Sequence, residues 1–216
     1  MALRIPAAVA AAIATLVPAA AARAGTVTLD HPCYVENGTM VVTGTGFKPN
    51  SQLTLSGDGA SQNATADATG NFQAPVQVPL NPSSDAKPAS IVTYTLNVQD
   101  AADASQNTSA KYQVTNFAAD RGQSSSPRSR RTWRFAGFEP GVPIYAHFRY
   151  KGKTTAHYRM GVPKGPCGTL SRKAPGIIAR RLRTGTWTIQ VDQSKKYNKT
   201  TVPAVVFRTV LYVSRR

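Results

Sequence analysis

Acidic residues are scarce in the second half of this sequence. Residues 118–216 contain 21 Lys and Arg but only three acids, Asp120, Glu139 and Asp192, so their formal net charge is +18. Residues 25–117 contain three basic and seven acidic residues, which gives −4. The shortage disfavours paired-carboxylate glycoside hydrolysis in the basic half. A segment this cationic repels itself and attracts anionic surfaces, so the imbalance indicates an anionic partner.

Long hydrophobic runs are missing after the first 24 residues. Arg4 precedes an apolar, Ala-rich stretch at residues 5–17, and residues 22–24 read Ala-Arg-Ala. This order predicts a secretory signal peptide over residues 1–24, because a charged start, a short apolar region and a small-residue cleavage site define one. The stretch is too short to cross a bilayer as a helix. We therefore expect a soluble mature chain that is secreted or held at the cell surface.

Cysteine is also rare, since only Cys33 and Cys167 are present. In an oxidising compartment an even number of cysteines favours a disulfide. A Cys33–Cys167 bond would clamp the two halves of the chain together. Two separate thiols, or a bond to another chain, are the alternatives, because spacing alone does not show that the two Cα atoms lie close together.

Helical periodicity is absent after residue 24, where no stretch sustains it over three turns. Apolar residues instead alternate with polar ones, as at residues 72–78, 92–98 and 187–191. Such alternation is typical of strands with one buried face, and turn-forming Gly, Pro, Asn and Asp separate them. The pattern predicts an all-β chain of two tandem immunoglobulin-like β-sandwiches. We place these domains at residues 25–117 and 131–216, with a linker at residues 118–130.

One short motif occurs twice. Residues 46–50 read Gly-Phe-Lys-Pro-Asn, and residues 137–141 read Gly-Phe-Glu-Pro-Gly. Each follows an apolar strand pattern and precedes another. Gly lets the chain bend, Phe can close the end of a sandwich, and Pro fixes φ before a residue that tolerates positive φ. The repeat predicts two related sandwiches with the same turn.

The same regions resemble a known kind of protein. Residues 41–49 (Val-Val-Thr-Gly-Thr-Gly-Phe-Lys-Pro) and 66–72 (Ala-Asp-Ala-Thr-Gly-Asn-Phe) resemble the bacterial immunoglobulin-like repeats of secreted actinobacterial proteins. Residues 137–141, 145–147 (Tyr-Ala-His) and 165–168 (Gly-Pro-Cys-Gly) are similar to the C-terminal part of such proteins. The resemblance implies a β-sandwich fold and an extracytoplasmic location, and it supplies no catalytic residues.

The predicted hairpin centred on Gly152 concentrates charge on one face. Pairing Tyr150 with Thr154 would place His147 opposite His157, Arg149 opposite Thr155 and Tyr145 opposite Arg159. That face would form an anion cradle whose charge grows below about pH 6.5. The predicted polyanion-binding residues, including a later basic run, are Tyr145, His147, Arg149, Lys151, Lys153, His157, Arg159, Arg180, Arg181 and Arg183.

The partner that this surface predicts is an anionic polymer, such as a teichoic acid, a nucleic acid or an acidic glycan. Arginine suits phosphate and carboxylate because its planar fork donates two parallel hydrogen bonds. No signature of a known nucleic-acid-binding module is present. The principal hypothesis is therefore non-catalytic attachment to an anionic polymer of the cell envelope or extracellular matrix. The plainer interpretation is a basic surface that only aids solubility.

Two other classes remain open. Cys167 and His147 could form a Cys/His enzyme site of the L,D-transpeptidase type, although residues 164–168 (Lys-Gly-Pro-Cys-Gly) depart from the Ser-His-Gly-Cys motif of that family. The chain could also be a purely structural extracellular module. We predict no metal and no cofactor, because His147 and His157 lie in a positive field with few carboxylates and zinc normally takes at least three protein ligands.

Overall fold

The computed structural model describes residues 25–57, 60–83, 89–123, 126–179 and 181–213. Within these ranges the chain forms fifteen strands and one 3-10 turn, with no α-helix. The predicted all-β class is confirmed. The predicted signal peptide lies outside the described residues.

The first sandwich consists of two facing sheets. Its strands are β1 Thr26–Leu29, β2 Cys33–Val35, β3 Thr39–Thr45, β4 Gln52–Gly57, β5 Ala60–Thr65, β6 Phe72–Gln77, β7 Ile91–Asp100 and β8 Thr108–Thr115. One sheet has the order β1-β3-β6 and the other the order β2-β8-β7-β4-β5. Strand β2 runs parallel to β8, whereas every other pair is antiparallel.

The second sandwich has the same plan with one strand fewer. Its strands are β9 Ala118–Arg121, β10 Arg130–Ala136, β11 Ile144–Tyr150, β12 Lys153–Gly161, β13 Leu170–Pro175, β14 Gly185–Asp192 and β15 Val205–Leu211. The sheets have the orders β13-β10-β9 and β12-β11-β14-β15. Matching the orders makes β9, β10 and β13 the counterparts of β1, β3 and β6, and β11, β12, β14 and β15 the counterparts of β4, β5, β7 and β8. Strand β2 has no counterpart among the described residues.

The alternating residues build two separate cores. Met40, Leu53 and Leu96, which come from both sheets of the first sandwich, are fully buried in one cluster. Trp133 and Phe148 are equally buried in the second cluster, whose members also come from both sheets. Burying such side chains contributes about 1.5–3 kcal/mol each relative to exposure. The period-two pattern therefore holds each pair of sheets together.

The repeated motif forms the same turn in both sandwiches. Phe47 and Phe138 are buried at the strand ends. The residues after the two prolines, Asn50 and Gly141, have φ of 58° and 84°, as the turn chemistry predicts. Each turn also packs against a glycine, Gly70 or Gly168, that precedes the next strand of the same sheet. A Cβ on either glycine would collide with the carbonyl of the turn phenylalanine. The predicted shared turn is confirmed.

A short junction and a disulfide join the sandwiches. Residues 118–121 pair with β10 as strand β9, so the predicted start of the linker at residue 118 is wrong, and only residues 116–117 lie between β8 and β9. These four residues, Ala-Ala-Asp-Arg, form an edge strand with little apolar surface, which is why their sequence looks like a linker. Cys33 and Cys167 are bonded with Cα atoms 5.2 Å apart, so the predicted disulfide is confirmed.

Candidate functional site

The β11–β12 hairpin presents two lysines at its tip. Lys151 and Gly152 are the two central residues of the turn, with φ of 46° and 77°, and Tyr150 pairs with Lys153. Positive φ at both central positions defines a type I′ turn, whose twist matches that of the flanking strands. A lysine in the left-handed backbone conformation is uncommon, since Asn or Asp usually takes this position. The turn geometry therefore fixes the direction in which the Lys151 side chain leaves the backbone.

The hairpin register differs from the prediction near this tip. The two-residue turn pairs Arg149 with Thr154, so the predicted Arg149–Thr155 and Tyr150–Thr154 pairs are wrong. Thr155 is the extra residue of a β-bulge, and its Oγ1 donates to the Phe148 carbonyl over 3.0 Å. A bulge absorbs one residue, so the register beyond it agrees with the predicted one. His147 pairs with His157, and Tyr145 with Arg159, as predicted.

A basic cleft opens beside the hairpin tip. We use this name for the cavity of about 770 Å³ that Lys151, Lys153, Arg181 and Arg183 line together with Tyr150 and Thr155. All four cationic side chains belong to exposed residues. Four of the ten predicted binding residues thus meet in one concave site. Its volume is in the usual range for ligand pockets.

An aromatic ring, that of Tyr150, lies near two of these cations. The Tyr150 ring lies 5.8 Å from Lys151 Nζ and 5.8 Å from the Arg183 guanidinium carbon, close to the outer limit of cation–π attraction. Tyr150 itself is fixed, because its hydroxyl donates to the Thr184 carbonyl over 2.9 Å and its ring packs 5.2 Å from Trp187. The cleft therefore combines a fixed aromatic ring with exposed positive charge.

Several arginines outside the cleft are already engaged. Arg134 forms an ion pair with Asp120 at 3.0 Å. Arg172 donates to the Met160 carbonyl at 2.6 Å, and Arg130 donates to the Lys173 carbonyl at 2.9 Å. Among the described residues, none of the four cleft cations forms an ion pair. The cleft cations are thus better placed to meet an added anion.

The predicted histidine cradle is wrong. His157 is exposed, but His147 is 1% exposed. The segment at residues 193–199 folds over the outer face of the sheet there. His147 Nε2 lies 3.0 Å from the Ser194 carbonyl and 3.3 Å from Asp192 Oδ1, and the Tyr197 ring lies 5.9 Å away. This face therefore presents only one of the two histidines, His157, to solvent.

Asp192 is the centre of the network that buries His147. Besides His147, it accepts hydrogen bonds from Gln190 Nε2 at 2.7 Å and from the Ser194 amide at 2.8 Å. Burial by itself would raise the pKa of Asp192, but the hydrogen bonds from His147, Gln190 and Ser194 bring that pKa below its ordinary value. Asp192 therefore stays ionised and anchors the covering segment. We did not predict this contact, which joins residues 45 apart, because no local pattern marks it.

Of the remaining predicted residues, those that the structure describes do not line the cleft. Arg149 packs 4.0 Å from the Tyr197 ring centre, donates to the Tyr197 hydroxyl over 2.6 Å and also donates to the Gly152 carbonyl. Tyr145 is half-buried, whereas Arg159 is exposed on the neighbouring strand. Arg180 lies outside the described residues. Arg149 and Arg159 thus add to the basic surface without sharing the cavity.

The cysteine of the enzyme hypothesis is not a free thiol. Cys167 is bonded to Cys33, and its sulfur cannot act as a thiolate nucleophile in that state. His147 is buried and hydrogen-bonded elsewhere. In the part of the chain that is described, no three His, Cys, Asp or Glu residues gather as metal ligands. The described residues also contain no helix long and apolar enough to span a membrane.

Comparisons with known proteins add little beyond the fold. No protein-family model matches the chain, and no curated protein matches it in sequence. A tetra-tandem repeat from the extending region of a large adhesion protein is 16% identical over 86% of this chain and 47% of its own, with a TM-score of 0.30. The human OSCAR ligand-binding domain is 10% identical over 88% and 98%, with a TM-score of 0.32. At such scores the similarities carry no inference about function.

Proposed function

We propose that this protein is a non-catalytic binding protein that attaches through the basic cleft to an anionic polymer of the cell envelope or its surroundings. The single observation that carries the proposal is the convergence of Lys151, Lys153, Arg181 and Arg183 on one cavity without a carboxylate in its lining. Guanidinium and ammonium groups bind phosphate, sulfate and carboxylate by charge-assisted hydrogen bonds.

The proposal includes an extracytoplasmic location for the protein. The Cys33–Cys167 disulfide supports an oxidising compartment, because such bonds are rare where thiols are kept reduced. The apolar start of the chain supports secretion through a signal peptide. The first sandwich, with its charge of −4, serves as a platform that carries the basic sandwich. Teichoic acids, nucleic acids and acidic glycans are all polymers of suitable charge.

The test compares two variants of the full chain with equal net charge. One changes the cleft cations Lys151, Lys153, Arg181 and Arg183 to Gln. The other changes four exposed lysines outside the cleft, Lys164, Lys173, Lys195 and Lys196, to Gln. Binding to polyphosphate, heparin and a single-stranded oligonucleotide is measured at two salt concentrations.

The cleft variant should lose most of the affinity, and its plot of log affinity against log salt should become shallower by about 3, because each neutralised anionic site releases counterions. The control variant should change little. Equal losses in both variants would favour a diffuse basic surface. Salt-insensitive binding would contradict the proposal, and no binding to any probe would favour a structural module.

A further inference from the structure

Among the described residues, the outer edge of strand β15 has no partner, whereas the same edge of its counterpart β8 is paired with β2. In the first sandwich β8 pairs with β7 on one edge and with the parallel strand β2 on the other. In the second sandwich β15 pairs with β14, and no strand among the described residues pairs with its other edge. An uncovered edge presents backbone donors and acceptors to any extended segment.

A cleft of about 470 Å³ runs along this edge. Four consecutive residues, 209–212, line it. Side chains alternate between the two faces of a strand, so consecutive residues can line one cavity only when the cavity lies at the edge of the strand. The cleft therefore occupies the place beside β15 that β2 takes beside β8. We call it the edge slot.

Two arginines stand in the edge slot at positions that are apolar in the first sandwich. Aligning Gly46 with Gly137 makes Met40 the counterpart of Arg131, because each lies six residues earlier. The same alignment makes Val42 the counterpart of Trp133. Val42 pairs with Leu29, and Trp133 pairs with Arg121, so Leu29 is the counterpart of Arg121.

In the first sandwich Met40 is fully buried and Leu29 packs against the same core, to which Tyr34 of β2 also contributes. The second sandwich thus has Arg121 and Arg131 in place of Leu29 and Met40, beside the edge of β15 that no described strand covers. Both arginines line the edge slot. Two cationic side chains thus occupy apolar positions at the same place where the described residues lack a counterpart of β2.

The arginines are held in place but are not neutralised. Arg131 Nη1 and Nη2 donate to the carbonyls of Gly122 at 3.3 Å and Ser126 at 2.9 Å, while its buried Nε has no partner among the described residues. The Arg121 guanidinium lies 6.0 Å from the Trp133 ring. Neither forms an ion pair within the described part of the chain. Burial lowers the pKa of both, and the charge of Arg131 further lowers the pKa of Arg121.

We infer that the edge slot binds an extended acidic peptide segment of a partner protein. The segment adds a strand to β15 as β2 adds one to β8, and a carboxylate on it meets Arg121 and Arg131. Strand addition supplies backbone hydrogen bonds, and side-chain pockets supply selectivity. A peptide is favoured over another anion because a peptide strand fills the equivalent place in the first sandwich. This site is separate from the basic cleft and does not depend on its function.

The test uses the full chain and two labelled peptides, Val-Glu-Val-Glu-Val-Thr and the matched Val-Gln-Val-Gln-Val-Thr. Affinity is measured by fluorescence anisotropy, and amide hydrogen exchange is followed along residues 205–211. The acidic peptide should bind at least about tenfold more tightly than the Gln peptide, since hydrogen bonds to charged groups are the stronger ones. It should also slow exchange in β15.

The decisive variant is Arg121→Leu/Arg131→Met, which installs the residues of the first sandwich and so retains a packed fold. It should lose the preference for the acidic peptide, whereas Lys151→Gln/Lys153→Gln should keep it. Arg121→Gln, with near-UV circular dichroism of the packed Trp133 as a fold check, provides a second measurement. Equal binding of the two peptides, unchanged binding in the arginine variants, loss in the lysine variant, or displacement of the peptide by polyphosphate through Arg121 and Arg131 would overturn the inference.

Discussion

The two sandwiches have one strand plan and opposite charge. Both place the Gly-Phe-x-Pro turn at the same point and pack its phenylalanine over a glycine with positive φ. Yet one carries −4 and the other +18, and among the described residues the last strand is paired on its outer edge in the first sandwich but not in the second. The apolar alternation and the turn define the architecture, whereas charge and strand edges are free to differ. Binding properties can therefore diverge between two copies of one fold.

A polar contact behind the shared turn shows the same divergence on a smaller scale. In the first sandwich the Lys48 amide donates to Asp100 Oδ2 over 3.2 Å. In the second, the amide of the counterpart Glu139 donates to Gln193 Oε1 over 2.9 Å. A carboxylate in the acidic sandwich thus has an amide as its equivalent in the basic one. Only the first of these contacts depends on pH.

Removing the disulfide between the sandwiches should have the largest effect on stability. The Cys33→Ser/Cys167→Ser variant opens a cross-link between residues 134 apart, which should lower the free energy of unfolding by about 4 kcal/mol. Calorimetry should show two separate transitions where the native chain shows more coupled melting. Reductant should shift the native chain towards the variant and leave the variant unchanged. An identical melting profile for both proteins would contradict this expectation.

Substitutions at the two equivalent glycines should test whether the shared turn contributes equally to both sandwiches. Gly70→Ala and Gly168→Ala should each cost roughly 3 kcal/mol, because φ is positive and a Cβ would collide with the carbonyl of Phe47 or Phe138. Gly141→Ala is the matched control, since its φ is also positive but its Cβ would meet nothing within 4 Å. It should cost about 1 kcal/mol. Urea unfolding measures all three, and a control as damaging as the other two would refute the packing argument.

The smallest expected effect is a difference in pH dependence between the Lys48–Asp100 contact and the Glu139–Gln193 contact. Burial would raise the pKa of Asp100, but hydrogen bonds from the Ala102 amide, Ser51 Oγ and the Lys48 amide bring it below its ordinary value. A lowered folded-state pKa gives stabilisation that is complete above about pH 4 and disappears as the pH falls further. Asp100→Asn should therefore cost about 2 kcal/mol at neutral pH and progressively less in acid.

Unfolding free energies measured between neutral pH and pH 3 provide the test. Gln193→Ala is the comparison in the second sandwich, and its loss of stability should not depend on pH because an amide does not titrate. Parallel stability curves for the native chain and Asp100→Asn would show that Asp100 makes no ionised contact of this kind.

Local patterns in the sequence were sufficient to predict the sandwiches. Period-two alternation predicts strands such as β7 and β14, the repeated turn predicts duplication, and the even cysteine count predicts the bond between Cys33 and Cys167. These features depend on a few adjacent residues or on simple counting. The central pairing of the hairpin, His147 with His157, was predictable for the same reason.

The errors concern properties that are not local. Strand β9 has too little apolar surface to be recognised, and its pairing with β10 shows only in the folded chain. His147 is buried by a segment that begins at residue 193, far along the sequence. The edge slot is harder still to foresee, because it lies where no strand of the described residues pairs with β15. The polyanion-binding role of the predicted residues stays a prediction.

The disulfide also determines how mechanical load would pass through the molecule. A pull between the first sandwich and a ligand held in the basic cleft has two covalent routes, the chain at residues 116–117 and the sulfur bridge at Cys33. Cys33 lies in β2, which is hydrogen-bonded in parallel to β8, the strand that leads directly into the junction. Tension would thus be divided between neighbouring strands of one sheet. Under the proposed attachment, the junction would therefore carry load through two covalent connections instead of one.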